Sequence, residues 1–369
     1  MSRPLRLLVA CLAISVLAAC GGSSGASDQN LATSVSGQGD VNQLAERAKD
    51  EGELTVYTVA SEEVVTEWVR SFEEKYGIHV STYRASQSVL WERWAQETQV
   101  DQGLADVVIM NDPQALAEAD KQGWLAEFTP SSDGKYEDTA KRAGKWYSIY
   151  QTVEPLAWNR NKVSPAEAQA LRTQGLQALA DPRWRGRVAV VAPQATERVL
   201  ATYDRWTFAQ KNELGWPFVE KLAATAPAVY ESAVPVAERL SAGEFAVVLG
   251  SADSLMGQAV ADGAPIEFSY PDPATGAPFV QAVSANGENP NAARLFQEWA
   301  TTPDALSSLS ELSQGMPPYE GVPDRRAFVD KEWYSPPENI DEDWIFDKQL
   351  AGRSKQLLDR WATTFQYGG

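Results

Sequence analysis

The chain of 369 residues is longer than a single hydrophobic core usually supports, so its length predicts two lobes. With 32 basic and 50 acidic side chains it has a formal charge of -18, which argues against nucleic acid or an anionic membrane face as a partner. Its two cysteines, Cys11 and Cys20, lie near the N-terminus, so the rest of the chain has no thiol for a disulfide, a nucleophile or a metal site.

The N-terminal segment has the pattern of an export signal. Two arginines precede an apolar run at residues 7–17 that is too short to span a bilayer comfortably. The letters LAAC, which end this run, resemble a bacterial lipobox, where cleavage precedes the cysteine and the new N-terminus is acylated. We therefore predict a lipoprotein signal peptide at 1–19, a lipidated Cys20 and a flexible tether over 20–40. An ordinary signal with a chance cysteine is the alternative. The predicted location is the outer face of the cytoplasmic membrane or the periplasm.

Beyond the tether, strands and helices alternate. ELTVYTV at 53–59 is typical of a buried strand, and the helix predicted after it has apolar side chains at helical spacing. This first β-α-β-α-β series ends with ADVVIM and a helix that Asp112 caps, and a comparable series occupies residues 186–263. Such alternation predicts an α/β fold with parallel sheets. The segment 146–159, interrupted by Pro155, is the predicted crossing between the lobes.

Several segments resemble the extracellular solute-binding proteins of ABC importers, in particular the branch named after ferric-iron-binding proteins. They occur in the family's order between residues 53 and 301, and the C-terminal letters DEDWIF and LLDRWATTF resemble its last helix. The segments are LTVYTVASEE, FEEKYGIHV, ADVVIMND, GKWYSI, LADPRWRGRVAV, SAGEFAVVLG, YPDP and NPNAARLFQEWAT.

The resemblance implies a two-lobe periplasmic-binding-protein type II fold, with a hinge of crossing strands and a ligand cleft between the lobes. We expect residues 41–155 and 279–369 in the first lobe and 156–278 in the second, joined near Asn159 and again near residues 279–284. The family also implies a partner, the membrane permease of an ABC transporter, to which the solute is delivered. We expect the protein to be a monomer held to the membrane through its N-terminal lipid.

Hydroxyl side chains recur where a strand is followed by a helix. Such junctions lie at the carboxyl ends of the strands, where helix N-termini offer free N–H groups to a ligand. Serine and threonine are also common helix caps, so capping is the alternative for each residue alone. The predicted ligand contacts are Ser61, Ser86, Ser88, Thr196, Ser232 and Ser251.

Charged and aromatic residues complete the predicted cleft. Asp112 and Asp253 are candidates for binding an amine, and Trp158 for stacking on the solute, with core packing as its alternative. Glutamates in the first helical turns weaken the field of the helix N-termini, whereas three nearby arginines, Arg84, Arg160 and Arg198, restore positive charge. We expect a small polar solute, anionic or zwitterionic.

The resemblance to ferric-binding proteins does not extend to their iron ligands. Members of that branch have adjacent tyrosines where this chain has residues 251–254, and often a histidine where it has Ser61. Iron would have to bind to carboxylates such as Asp112, Asp253 or Glu97. The only histidine, His79, alternates with apolar residues in a predicted strand. We predict no metal and no cofactor, and keep a ferric or other metal-binding importer component as the alternative.

The sequence has none of the motifs that would indicate an enzyme. No nucleophile elbow precedes a helix, and there is no Walker loop, HExxH or CxxC. A pair of acids could serve a glycosidase, but with 50 acids such a pair carries no information. We predict a binding protein. A secreted hydrolase is the alternative of another class, and a surface adhesin would explain the lipid anchor without explaining the ordered family segments.

Overall fold

The computed structural model describes residues 31–100, 102–210 and 213–368. The predicted signal peptide and Cys20 lie outside the described residues. The predicted tether extends to residue 40, whereas Val35 is already buried and donates a backbone hydrogen bond of 3.3 Å to Thr129. The packed chain therefore begins before the predicted end of the tether. No helix in the described part of the chain has the length and apolarity that a membrane crossing requires.

Helices and strands alternate along the described chain as predicted. The helices are α1 Gln38–Glu51, α2 Glu62–Tyr76, α3 Gln87–Gln99, α4 Pro113–Lys121, α5 Pro165–Gln174, α6 Glu197–Asp204, α7 Gly215–Ala224, α8 Ala233–Ser241, α9 Asp253–Ala261, α10 Pro290–Ala300, α11 Pro303–Ser313 and α12 Lys348–Phe365. The strands are β1 Glu53–Thr58, β2 His79–Arg84, β3 Val107–Met110, β4 Lys141–Arg142, β5 Trp146–Val153, β6 Leu156–Asn159, β7 Val188–Val191, β8 Ala228–Tyr230, β9 Val247–Leu249, β10 Ile266–Ser269, β11 Ala274–Val283 and β12 Ile340–Asp341.

The first sheet has the strand order β2-β1-β3-β11-β5-β4, and β12 pairs with β11 beside it. Strands β1, β2 and β3 are parallel, and β11 runs antiparallel to β3 and β5. Helix α2 packs on this sheet because Trp68 and Phe72, one turn apart, point to the same side. Both rings contact Phe296 and Trp299 of α10. We call this sheet and its packed helices the first lobe.

The second sheet has the strand order β10-β6-β9-β7-β8. Strands β7, β8 and β9 are parallel, as the β-α-β pattern predicts, whereas β6 runs antiparallel to β9 and β10. Its core is separate from that of the first sheet and is rich in valine, because strands covered on both faces have no solvent-facing side. We call this sheet and its helices the second lobe. The α/β class and the two-lobe fold are therefore confirmed.

The chain passes between the sheets twice. The first passage, between Val153 of β5 and Leu156 of β6, falls inside the predicted crossing. The second lies between β10 and β11, at residues 270–273, and not at 279–284 as expected. Residues 279–283 lie within β11, which is ten residues long and is paired on both sides by β3 and β5.

The C-terminal helix packs differently from our expectation. We placed residues 279–369 in the first lobe, but Leu357 and Trp361 of α12 are buried in the core of the second lobe. The Trp361 ring packs against Tyr203 of α6 at a centroid distance of 5.8 Å. Arg353 adds a salt bridge of 2.7 Å to the buried Asp204. Apolar surface on the second lobe therefore determines where this helix lies.

Candidate ligand-binding cleft

A cleft of about 1960 Å³ lies between the two lobes. Its walls include the first turns of helices that follow parallel strands: α2, α3 and α4 from the first lobe, and α6 and α9 from the second. This arrangement follows from the topology, because the carboxyl ends of parallel strands share one edge of a sheet. Of the predicted contacts, the structure brings five to the cleft, namely Ser61, Ser86, Ser88, Asp112 and Thr196.

Two of the cleft serines occupy N-cap positions without capping. Ser61 precedes α2 and Ser86 precedes α3, yet neither side chain accepts a hydrogen bond from its helix. Both residues are exposed to the cleft. Their hydroxyls, and the backbone N–H groups of these two first turns, are therefore available to a ligand.

Thr196 and Asp112 do act as caps. The Thr196 hydroxyl accepts a hydrogen bond of 3.2 Å from the backbone N–H of Val199. One Asp112 carboxylate oxygen accepts from Gln114 and Ala115 at 2.9 and 3.1 Å. The other Asp112 oxygen has no hydrogen-bond partner among the described residues, so this carboxylate can cap α4 and still contact a ligand.

Four predicted contacts do not line the cleft. Trp158 is fully buried in the second core, where its ring lies 5.2 Å from the Arg172 guanidinium. Ser232 is exposed, but it follows β8 at the edge of its sheet. Ser251 is only 2% exposed, and its hydroxyl lies 3.5 Å from the carbonyl oxygen of Ala233. These positions correct the interpretation of the three residues as cleft contacts.

The fourth is Asp253, which has no exposed surface. Its carboxylate accepts hydrogen bonds of 2.9 Å from the Val153 N–H and from the Tyr270 hydroxyl. Arg326 Nη1 lies 3.6 Å from the same carboxylate. Burial raises the pKa of Asp253, and the Arg326 charge opposes that rise. The Asp253 carboxylate therefore interacts with groups of the protein itself and not with the cleft. Its neighbours Ala252, Ser254 and Leu255 line the cleft.

The crossing strands supply cleft residues that the sequence analysis missed. Tyr150 and Thr152 of β5 and Ala277 and Phe279 of β11 line the cleft. Tyr150 and Phe279 are paired across the two strands, and their rings stack at 4.2 Å with an angle of 15°. The location of Tyr150 in the predicted crossing was the available signal, but the aromatic residue considered there was Trp158.

The charges on the cleft wall are unbalanced. Each of its three arginines forms an ion pair with a carboxylate: Arg70 with Glu67 at 2.7 Å, Arg198 with Glu154 at 2.7 Å, and Arg325 with Glu311 at 3.7 Å. No lysine is among the described residues of the wall. Four of its carboxylates form no ion pair with a described residue, namely Glu62, Glu63, Asp112 and Glu197. The cleft is therefore negative.

Two of these carboxylates interact across the cleft. Asp112 belongs to the first lobe and Glu197 to the second. Burial raises the pKa of Asp112, although its hydrogen bonds from the backbone oppose the change. Desolvation raises the pKa of Glu197, and repulsion by the Asp112 charge raises it further. A positive group between the two carboxylates would lower both pKa values, because it stabilises their charged forms.

The remaining metal candidates lie elsewhere. Glu97 does not line the cleft; it accepts hydrogen bonds from the Tyr57 hydroxyl and from Arg93. His79 is exposed, and its ring contacts Glu73 at 2.9 Å. Among the described residues, no three or more His, Cys, Asp or Glu side chains are grouped as a metal site requires.

Two α/β lobes joined by crossing strands, with helix N-termini facing a shared cleft, define a class of protein that binds a ligand between its lobes. The sequence profile of the bacterial extracellular solute-binding proteins matches residues 54–311, and the chain belongs to this family. The resemblance seen in the sequence is thereby confirmed. The family's extracellular location agrees with the predicted export.

Named relatives are also similar to this chain. Iron uptake protein A2 of Synechocystis sp. is 31% identical over 116 residues, which are 30% of this chain and 31% of that protein. The match thus spans about a third of the length of this curated relative.

Solved structures share the fold across most of the chain. Trichodesmium IdiA (FutA) in complex with iron and citrate is 20% identical, with a TM-score of 0.65 over 84% of this chain and 99% of that one. Iron-bound HitA from Pseudomonas aeruginosa is 18% identical, with a TM-score of 0.65 over the same shares. The substrate-binding protein of an ABC transporter from Agrobacterium tumefaciens is 14% identical, with a TM-score of 0.66 over 85% and 94%. At these identities the likeness establishes the fold.

Proposed function

We propose that this protein is the substrate-binding component of an ABC importer, which captures a small polar solute and delivers it to a membrane permease. In this proposal it acts as a monomer, held at the membrane by diacylglycerol on Cys20, and it carries out no catalysis. Family membership supports solute binding, and the lipobox-like sequence supports the anchor.

The observation that carries the proposal is the composition of the cleft wall. The first lobe contributes the hydroxyls of Ser61 and Ser86, which cap no helix, and the second lobe contributes Ser254 and the capping residue Thr196. A solute that contacts both walls gains more interactions when the lobes are close together. Its binding energy therefore shifts an equilibrium between open and closed forms.

The names of the relatives support a second candidate, the capture of ferric iron. Carboxylate and phenolate oxygens are the donors that Fe(III) prefers, and Asp112, Glu197 and Tyr150 offer such groups in the cleft. Burial raises the pKa of Tyr150 well above its usual value, so forming its phenolate would require a bound cation.

Mass spectrometry of the small molecules released on denaturing the purified protein tests the proposal, followed by small-angle scattering with the identified molecule. We expect the radius of gyration to decrease at saturation. An unchanged radius at saturation would contradict closure. Titration with ferric citrate separates the two candidates, because a phenolate–iron complex absorbs visible light and a small organic solute leaves the protein colourless.

A further inference from the structure

The Tyr150 hydroxyl is a polar group of the cleft without a protein partner. Tyr150 is 5% exposed, and no described residue forms a hydrogen bond with its hydroxyl. One face of the ring stacks on Phe279, and a Cβ at Gly315 would lie 2.3 Å from Tyr150 Cδ2. The hydroxyl is not among the polar atoms that are sealed from solvent, so it is accessible from the cleft. The hydroxyl is therefore free to form a hydrogen bond with a bound ligand.

The charge of the cleft indicates what that ligand carries. The sequence favoured an anionic or zwitterionic solute because Arg84, Arg160 and Arg198 were counted as free positive charges. Arg84 and Arg160 do not line the cleft, and Arg198 is neutralised by Glu154. Asp112 and Glu197 are left without a counter-charge from the described residues. Asp112 also occupies the N–H groups that begin α4, so this helix N-terminus does not offer them to an anion.

The lining of the cleft favours an organic molecule. Trp91 of the first lobe, Phe279 of the crossing strands and Trp344 near the C-terminus place aromatic surface on its walls. Aromatic faces cover carbon chains and attract organic cations.

On the basis of the proposed solute-binding function, we propose that the cleft binds a small organic cation. Its ammonium group lies between Asp112 and Glu197, and a second polar group pairs with the Tyr150 hydroxyl. The two carboxylates belong to opposite lobes, so an ammonium group that contacts both draws the lobes together. Binding of the ammonium group and closure of the lobes then occur together.

The experiment is calorimetry on the full folded chain after removal of bound solute by partial unfolding and refolding. The probes are spermidine and choline as cations, and glycerol 3-phosphate and citrate as anions. We expect a cation to bind and neither anion to bind. Asp112→Asn and Glu197→Gln should each weaken cation binding about tenfold to a hundredfold, the effect of losing one hydrogen bond to a charged group. Asparagine also caps helices, so the first variant keeps α4 intact.

Tyr150→Phe separates a ligand contact from a structural role. The variant keeps the stacking on Phe279 and loses only the unpaired hydroxyl. We expect cation binding to weaken about three- to tenfold, while the melting temperature without ligand stays equal or rises. Asp262→Asn, on an exposed residue after α9 that does not line the cleft, is the control and should bind like the parent.

Each result decides between the proposals. Three results would overturn the cation proposal and leave solute binding intact. They are binding of an anion but no cation, release of an anionic molecule from the purified protein, and cation binding that is unchanged in Asp112→Asn and Glu197→Gln. If no probe binds and no small molecule is released from the purified protein, solute binding itself is contradicted, and the cation proposal with it.

Discussion

The Asp253 carboxylate accepts a hydrogen bond of 2.9 Å from the backbone N–H of Val153, which ties the first turn of α9 to the passage between the two sheets. Glu154, the next residue, is buried and forms a salt bridge of 2.7 Å with Arg198 of α6. Two helices of the second lobe that begin at the cleft are thus fixed to the same short hinge segment. Movement of the hinge and the geometry of this cleft wall are therefore mechanically linked.

Asp253→Asn should reduce stability. Asparagine keeps the size of the side chain but loses the charge that accepts from Val153 and Tyr270, so we expect the free energy of unfolding to fall by about 1.5 to 3 kcal/mol. Denaturant unfolding measures the change. Asp262→Asn, on an exposed residue just past the other end of α9, should stay within about 0.5 kcal/mol of the parent. Normal stability with weaker solute binding would instead restore Asp253 as a ligand contact.

Gly250→Ala should destabilise the second lobe more than Gly263→Ala. Both glycines have left-handed φ values, +88° and +86°, so alanine costs about 1 to 2 kcal/mol at either position. A Cβ at Gly250 would also lie 2.6 Å from Val191 Cβ, whereas none lies within 4 Å at Gly263. The extra clash should add about 1 to 3 kcal/mol, measured by denaturant unfolding. Equal losses would mean that the contact with Val191 relaxes freely.

Glu342 should make stability depend on pH between about 4.5 and 7. Burial raises the pKa of Glu342 from 4.5 to about 7, although a hydrogen bond from Gln151 opposes the rise. In this range the folded protein keeps a proton that the unfolded chain has released, so stability falls as pH increases. Glu342→Gln has no proton to lose at this position. The difference in melting temperature between variant and parent should therefore shift in favour of the variant from pH 5 to pH 8.

The control for this prediction is Glu338→Gln, at an exposed residue of the same segment. Its melting temperature should follow the parent at both pH values. If Glu342→Gln shows the same difference from the parent at pH 5 and at pH 8, titration of this carboxyl makes no contribution to the pH dependence.

Cys20→Ala should release the protein from the membrane or leave its precursor uncleaved, because the lipid on Cys20 is the proposed anchor. Fractionation of cells, with detection of the processed form, measures the outcome. Ser23→Ala, in the neighbouring polar segment, should remain lipidated and membrane-bound. A Cys20→Ala protein that is processed and still membrane-bound would contradict the proposed anchor.

The sequence determined the order of the helices and strands, because the spacing of apolar residues is a local property. The alternation after residue 53 predicts parallel α/β sheets. Each of the two series contributes three strands that pair in parallel. Asp112 could be identified as a cap, since capping depends only on residues up to three positions away. The family resemblance was also readable, because its segments occur in order along the chain.

Only the tertiary structure decided which strand–helix junctions face the cleft. Ser61, Ser232 and Ser251 follow strands in the same local pattern, yet only Ser61 lines the cleft. Ser232 follows the edge strand β8 and lies outside the cleft wall, although Ser86, which follows the edge strand β2 of the other sheet, lines the cleft. Ser251 follows Gly250, whose backbone packs closely on Val191, and its hydroxyl faces the carbonyl oxygen of Ala233 inside the second lobe.

The charge of the cleft could not be predicted from the sequence either. Arg198 pairs with Glu154, 44 positions earlier, and such a pair leaves no trace in local spacing. The ring of Tyr150 is likewise surrounded by Phe279 and Gly315, which come from distant parts of the chain. A sequence shows which charged and aromatic groups are present, whereas their partners are determined by packing between segments far apart, and those partners decide what is left to bind a solute.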